Sequence, residues 1–162
     1  MKRIFMCLLT LVALCGLLGV TASAAETATV QVTGVLDYVM AEEVFSQLNN
    51  YRASNGLSKL VLDERLTAAA MERAVESSIA FSHTRPNGRS YASVLSDYSY
   101  NSSGAAENLI YTSGNGDAAK MVAKWMSADK NCSTLMSESY TTAGIGIYRS
   151  GGVTYLANLL IG

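Results

Sequence analysis

The sequence predicts an α+β domain with helices on both faces of a sheet. Three observations carry that prediction. Two stretches in the first half, 40–52 and 60–81, place apolar residues three and four apart, the spacing of helices with one buried face. The chain closes with two runs rich in Ile, Val, Tyr and Leu, 143–149 and 153–161, joined by Ser150-Gly151-Gly152, which reads as a hairpin. The last run, 155–161, is apolar on both faces, as a central strand covered from both sides must be. Helices first and strands last give three layers.

The first 24 residues read as a secretory signal peptide. Met1-Lys2-Arg3 is a basic start, 5–20 an apolar run, and Ala22-Ser23-Ala24 a small-residue cleavage site. Small residues follow the run where a membrane anchor would carry a basic cluster. Leu14 before Cys15 does not fit a lipid-attachment site. Cleavage would leave no membrane-spanning anchor and a secreted, extracellular chain. It would also remove Lys2 and Arg3, leaving 10 of the 12 basic residues against 13 acidic ones, a net charge near −3. No basic patch argues for nucleic acid. Cys7 and Cys15 would leave too, so the domain would carry Cys132 alone and no internal disulfide. Cys132 is then either a small buried residue or a free thiol for pairing between chains.

The segment 25–40 alternates Thr and Val and reads as a short strand or a linker. A strand would put Val30 and Val32 on one face. The domain proper is expected over 41–162. In its first helix Ala41, Val44, Phe45, Leu48 and Tyr51 form the buried face. Glu42 and Glu43 belong to the first turn, where the helix dipole favours them, and Asn55-Gly56 stops it. The second helix has Asp63 as its N-cap and an apolar stripe of Met71, Ala74, Val75 and Ile79, with Arg65, Glu72, Arg73 and Glu76 away from it. It should end near Ser82-His83, because Pro86 disfavours helical geometry at Arg85. Pro86-Asn87-Gly88 is a turn signal.

A helical turn or two is expected around 91–95. A strand-like run follows over 105–111, with Glu107 near its start. A turn over 113–117 lets Gly116 or Asp117 cap a third helix, whose apolar face is Met121, Val122, Trp125 and Met126. Trp125 at that spacing reads as core. Tyr91, Tyr98, Tyr100 and Tyr111 flank the region between His83 and Glu107, and either rim a groove or cover loop backbone. Ser77, Ser78 and Ser82 lie near His83, but the chain has no G-x-S-x-G elbow and no second histidine, which argues against a serine nucleophile.

Taken in order, several groups of residues carry a resemblance. They are Leu48-Asn49-Asn50-Tyr51-Arg52 with Asn55-Gly56-Leu57, Phe81-Ser82-His83 with Arg85-Pro86-Asn87-Gly88, Ala106-Glu107-Asn108-Leu109, Trp125-Met126 and Gly144-Ile145-Gly146. Together they resemble the CAP superfamily, the SCP or sperm-coating-protein domain, in its short secreted bacterial form. The resemblance implies an α-β-α sandwich with a cleft. Two histidines and two acidic residues floor that cleft in the family, and in some members they bind a divalent metal. It places the first histidine on His83 and the first acid on Glu107. Counting the W-x-x-S-x-x-H pattern from Trp125 puts the serine on Ala128 and the second histidine on Asn131. The only acid near the remaining position is Asp129.

An asparagine amide is a poor zinc ligand. The candidate metal ligands are therefore only His83 and Glu107, which are also the candidate catalytic pair. The candidate cleft is His83, Glu107, Asn131 and Asp129. The preferred expectation is a secreted binding module rather than an enzyme. Its ligand would be a small molecule, a glycan or a protein at the cell envelope. Two alternatives stand beside it: a hydrolase or peptidase using His83 and Glu107, with or without a metal, and an interaction protein that dimerises through Cys132.

Overall fold

The computed structural model describes residues 32–102 and 104–162. The expected signal peptide over 1–24 and the start of the 25–40 segment, Val30 included, lie outside them. Ten elements follow in order: β1 (Val35–Leu36), α1 (Tyr38–Ser54), β2 (Val61–Leu62), α2 (Glu64–Ile79), α3 (Ser93–Asp97), β3 (Ala105–Ser113), α4 (Ala118–Met126), α5 (Asp129–Leu135), β4 (Thr142–Ser150) and β5 (Val153–Ile161). The sheet order is β1-β4-β5-β3. β4 and β5 pair antiparallel along their full length, as do β5 and β3, and β2 joins β4 in parallel. β5 is thus central, as its two apolar faces require. Gly151 and Gly152 close the β4–β5 hairpin with φ of 57° and 74°, a left-handed pair that suits a two-residue loop.

Alternation along the strands divides the core. Ile110, Ile145, Ile147, Leu156 and Leu160 meet Val44 and Leu48 of α1, Met121, Val122 and Trp125 of α4, and Leu135 of α5. On the other face Leu159 meets Leu66, Ala69 and Ala70 of α2 with Val94 and Leu95 of α3, while Leu109 and Ala157 meet Ala74. The result is a three-layer α-β-α sandwich. α2 lies very close to β4, because Gly144 and Gly146 turn bare backbone toward it. A Cβ on Gly144 would collide with the backbone of Leu66 and Thr67, and one on Gly146 with the carbonyl of Ala70.

Several sequence expectations need correction. α1 begins at Tyr38, capped by Asp37 accepting from Met40 N at 2.9 Å, so Glu42 and Glu43 fall beyond its first turn. Tyr51 is exposed and Arg52 takes the buried position. Arg52 donates to the carbonyls of Ser58, Leu135 and Ser137, tying α1 to the end of α5. α2 ends at Ile79, four residues short of His83: Ala80 turns to extended backbone, with φ of −142°, while its N–H still bonds the Glu76 carbonyl. The order of β3 and α4 is that of the expected 105–111 run and the third helix after it. The helix α5 was not expected, since Asp-Lys-Asn-Cys-Ser-Thr offers little apolar periodicity and only Leu135 is buried.

Gly146→Ala is expected to destabilise the fold by about 1–3 kcal/mol through overpacking. Urea denaturation checks it, and a loss below about 0.5 kcal/mol, the range of ordinary surface changes, would mean that α2 can slide off β4.

A second expectation concerns acid. Hydrogen bonds from the Tyr100 hydroxyl and from Leu66 N hold the Asp63 carboxyl below its ordinary value. A depressed carboxyl contributes stability above its unfolded pKa of about 4 and loses it as pH falls through the folded value. The stability gap between wild type and Asp63→Asn should therefore shrink as pH falls from about 5 to about 2. A gap that stays constant in thermal melts over that range would contradict the assignment.

Candidate functional site

α2 and β3 build the site between them. Glu107 stands near the start of β3 and turns to the α2 face. Arg73, on α2, meets it there. Both side chains are fully buried. Arg73 Nε donates to Glu107 Oε2 at 2.6 Å, and Nη2 donates to Oε1 at 3.3 Å, a forked grip on the carboxylate. His83 reaches the same oxygen from the other side, with Nδ1 and Oε1 2.7 Å apart. The carboxylate fixes that nitrogen as the protonated one, which leaves Nε2 free. The His83 side chain is 55% exposed, so the ring faces solvent over a buried base. Tyr91 flanks it edge-on, with ring centroids 6.1 Å apart, and donates its hydroxyl to the Ala105 carbonyl at 3.0 Å.

The loop carrying His83 is held by a relay of ion pairs. Arg73 also donates to Glu76 and to the Ser82 carbonyl. Glu76 in turn accepts from Arg85 Nε at 2.9 Å. Arg85, itself buried, reaches Glu72, Ser93 and Asp97, and Asp97 holds Arg89 at 3.1 Å. Around this relay 83–91 folds as a small hairpin: Arg85 N bonds the Arg89 carbonyl, Tyr91 N the His83 carbonyl, and Gly88 takes φ of 82° in the turn. Burial works against the charge on Arg73 and Arg85. The hydrogen bonds that Arg73 donates to Glu107, and that Arg85 donates to Glu76 and Asp97, override it and hold both above the ordinary arginine value. Burial, and after it the Glu107 and Tyr140 charges, pushes the Tyr91 phenol up.

The expected His83–Glu107 contact is therefore present. Asn131 and Asp129 both lie on α5, half-buried and exposed respectively, and no hydrogen bond or ion pair among the described residues joins them to His83 or Glu107. Arg73 corrects the sequence reading, which set it on the solvent side of α2. It belongs to a second buried series, Leu66, Ala69/Ala70, Arg73 and Ser77, at three- and four-residue spacing, and that series was the available signal. Trp125 is fully buried core. The hydroxyls of Ser77 and Ser78 return to carbonyls of their own helix, and the Ser82 hydroxyl accepts from Thr84 N. Tyr98 and Tyr100 pack over the α2–α3 cluster, while Tyr111 is half-exposed and stacks edge-on against Phe81. Cys132, a free thiol on α5, is half-buried.

The donor set does not suit a metal. Among the described residues no three His, Cys, Asp or Glu side chains gather as a cage. Both oxygens of Glu107 are already engaged, and a guanidinium stands where a metal would meet a second positive charge.

The family model for cysteine-rich secretory proteins, CAP, matches residues 45–161. The chain belongs to the CAP family. Solved structures share its fold. An outer surface protein from Borrelia burgdorferi superposes with a TM-score of 0.71 at 15% identity, covering 81% of this chain and 98% of its own. An extracellular SCP-domain protein from Bacillus anthracis gives 0.67 at 19%, over 76% of this chain and 40% of its own. A cysteine-rich secretory protein from Staphylococcus aureus gives 0.63 at 17%, over 76% and 38%. This CAP chain thus spans about two fifths of the Bacillus and Staphylococcus proteins. No curated protein matches it in sequence. No helix of the described residues is long and apolar enough to cross a membrane.

Removing one partner of a buried ion pair strands the other charge, at about 3–5 kcal/mol. Arg73→Met should lose that much in urea denaturation. The double variant Arg73→Met/Glu107→Gln should lose clearly less than the sum of the two single losses. Strict additivity would show that the two side chains do not act as a pair.

Proposed function

We propose that this CAP domain is a binding module acting outside the cell or at its envelope, not a hydrolase. Its first 24 residues would direct export and be removed. The observation that carries the reading is the state of Glu107. Arg73 grips the carboxylate in the interior, so it cannot serve as a free base, and its remaining task is to orient His83. His83 offers one nitrogen to solvent, beside Tyr91, and among the described residues no serine, threonine or cysteine side chain is hydrogen-bonded to it. An imidazole so placed can bind a polar group on a ligand, and it lacks the nucleophile that acyl transfer would need. The ligand class is a glycan, a small polar molecule or a protein surface at the envelope. Support for the location comes from the Bacillus and Borrelia proteins, which are extracellular and outer surface proteins.

The cleft would consist of His83, Glu107 and the rim formed with Asn131 and Asp129. Zinc titrated calorimetrically into the purified protein should give the same heats for wild type and His83→Ala. Cell-wall glycan fragments and envelope proteins retained by wild type should be lost by His83→Ala at a temperature where its circular dichroism spectrum matches that of the folded wild type. Tight zinc binding that depends on His83, or peptide or ester turnover abolished by His83→Ala, would replace this reading with the hydrolase.

A further inference from the structure

The chain contains three Asn-Gly steps, at 55–56, 87–88 and 115–116. Each asparagine lies in a turn and is exposed. Glycine has no side chain to shield its own amide, so at such a step the asparagine side chain is open to attack by the next backbone nitrogen. That attack requires the glycine N–H to lose its proton first. A hydrogen bond on the N–H opposes the loss, as it opposes amide exchange. The dipeptide is the same at all three places, and the folded surroundings differ.

Two of the three steps are closed. Gly56 N donates to the Ala53 carbonyl at 3.0 Å, and the Asn55 amide donates to the Tyr51 carbonyl at 2.8 Å. Gly88 N donates to the Arg85 carbonyl at 2.9 Å, and Asn87 Oδ1 accepts from Arg89 N at 3.0 Å. Asn115-Gly116 differs on both counts. Among the described residues neither the Gly116 N–H nor the Asn115 side chain has a hydrogen-bond partner. Gly116 is itself exposed, with φ of 67°. The groups on either side are held. Gly114 N donates to the Gly152 carbonyl at 2.7 Å, Arg149 donates to the Asn115 carbonyl, and Asp117 caps α4 by accepting from Lys120 N at 3.0 Å.

We infer that Asn115 is a site of spontaneous modification, converted to isoaspartate and aspartate in the folded protein while Asn55 and Asn87 are spared. The Gly116 nitrogen, its proton lost to base, attacks Asn115 Cγ. The N–Cγ bond forms, the Cγ–Nδ2 bond breaks, and ammonia leaves with a proton taken from solvent. The succinimide ring then takes up water. Opening at the side-chain carbonyl gives aspartate, and opening at the main-chain carbonyl gives isoaspartate. The balance is water in and ammonia out, with no oxidant, reductant or cofactor. Either product sets a new negative charge beside Arg149 and Asp117. The isoaspartate also lengthens the main chain just ahead of the α4 cap, which loosens the first turn of α4. No step involves His83 or Glu107, so the inference stands apart from the binding reading.

The test is to age the purified protein in neutral and in mildly alkaline buffer, cut it into peptides and read each step by mass spectrometry. Isoaspartyl methyltransferase labelling then separates isoaspartate from aspartate. Asn115 should convert about tenfold faster than Asn55 or Asn87, the factor that one or two closing hydrogen bonds supply. Conversion should run faster in the alkaline buffer, because the attacking nitrogen must lose its proton. In urea the turns are lost, and the three rates should converge. Amide exchange gives a separate reading, in which Gly116 should exchange well ahead of Gly56 and Gly88. Equal rates at the three steps of the folded protein would overturn the proposal, as would Asn55 or Asn87 leading. A lead of Asn115 that persists undiminished in urea would assign it to neighbouring residues and overturn it too. Wild-type protein suffices throughout, so no variant has to fold.

Discussion

The buried pair between Arg73 and Glu107 is the constraint on which the rest of the site depends. Two charges removed from water are tolerated only when each is fully hydrogen-bonded, and here each is. Glu107 is held by Arg73 and His83. Arg73 is shared among Glu107, Glu76 and the Ser82 carbonyl. One guanidinium thereby fixes the helix α2, the strand β3 and the departure of the loop between them. Glu76 extends the same charge balance to Arg85, and through it to the turn and to α3. The loop that bears the histidine is short of apolar side chains, and it is ordered by ions instead.

That arrangement limits what a residue set resembling a metal site can do here. A carboxylate can orient an imidazole, ligate a cation or accept a proton, but not all at once. Once Arg73 occupies it, only the orienting role remains. Asn131, at the position where the family resemblance expects a second histidine, fits the same picture, since an amide neither ligates zinc well nor titrates.

The packing of α2 on the sheet sets where the pair can meet. Gly144 and Gly146 let the backbone of α2 come down on β4, and Ala69 and Ala70 keep its own surface low. From there the long Arg73 side chain reaches Glu107 on β3.

Much of the fold was legible in the chain itself. Amphipathic spacing located α1, α2 and α4. Asp63 and Asp117 marked two helix starts, Ser150-Gly151-Gly152 the hairpin, and the doubly apolar 155–161 run the central strand. These are local signals, written in periodicity and turn chemistry within a dozen residues. The motif around His83 and the position of Glu107 were also readable, through a family resemblance. What only the tertiary structure decided was the partner of Glu107 and the burial of Arg52 and Arg73. A charged residue in a helix reads as solvated unless a counter-charge from a distant segment arrives to meet it, and Glu107 stands 34 residues along the chain from Arg73. The sequence determined which residues were available for a polar site, and folding decided which of them would neutralise one another.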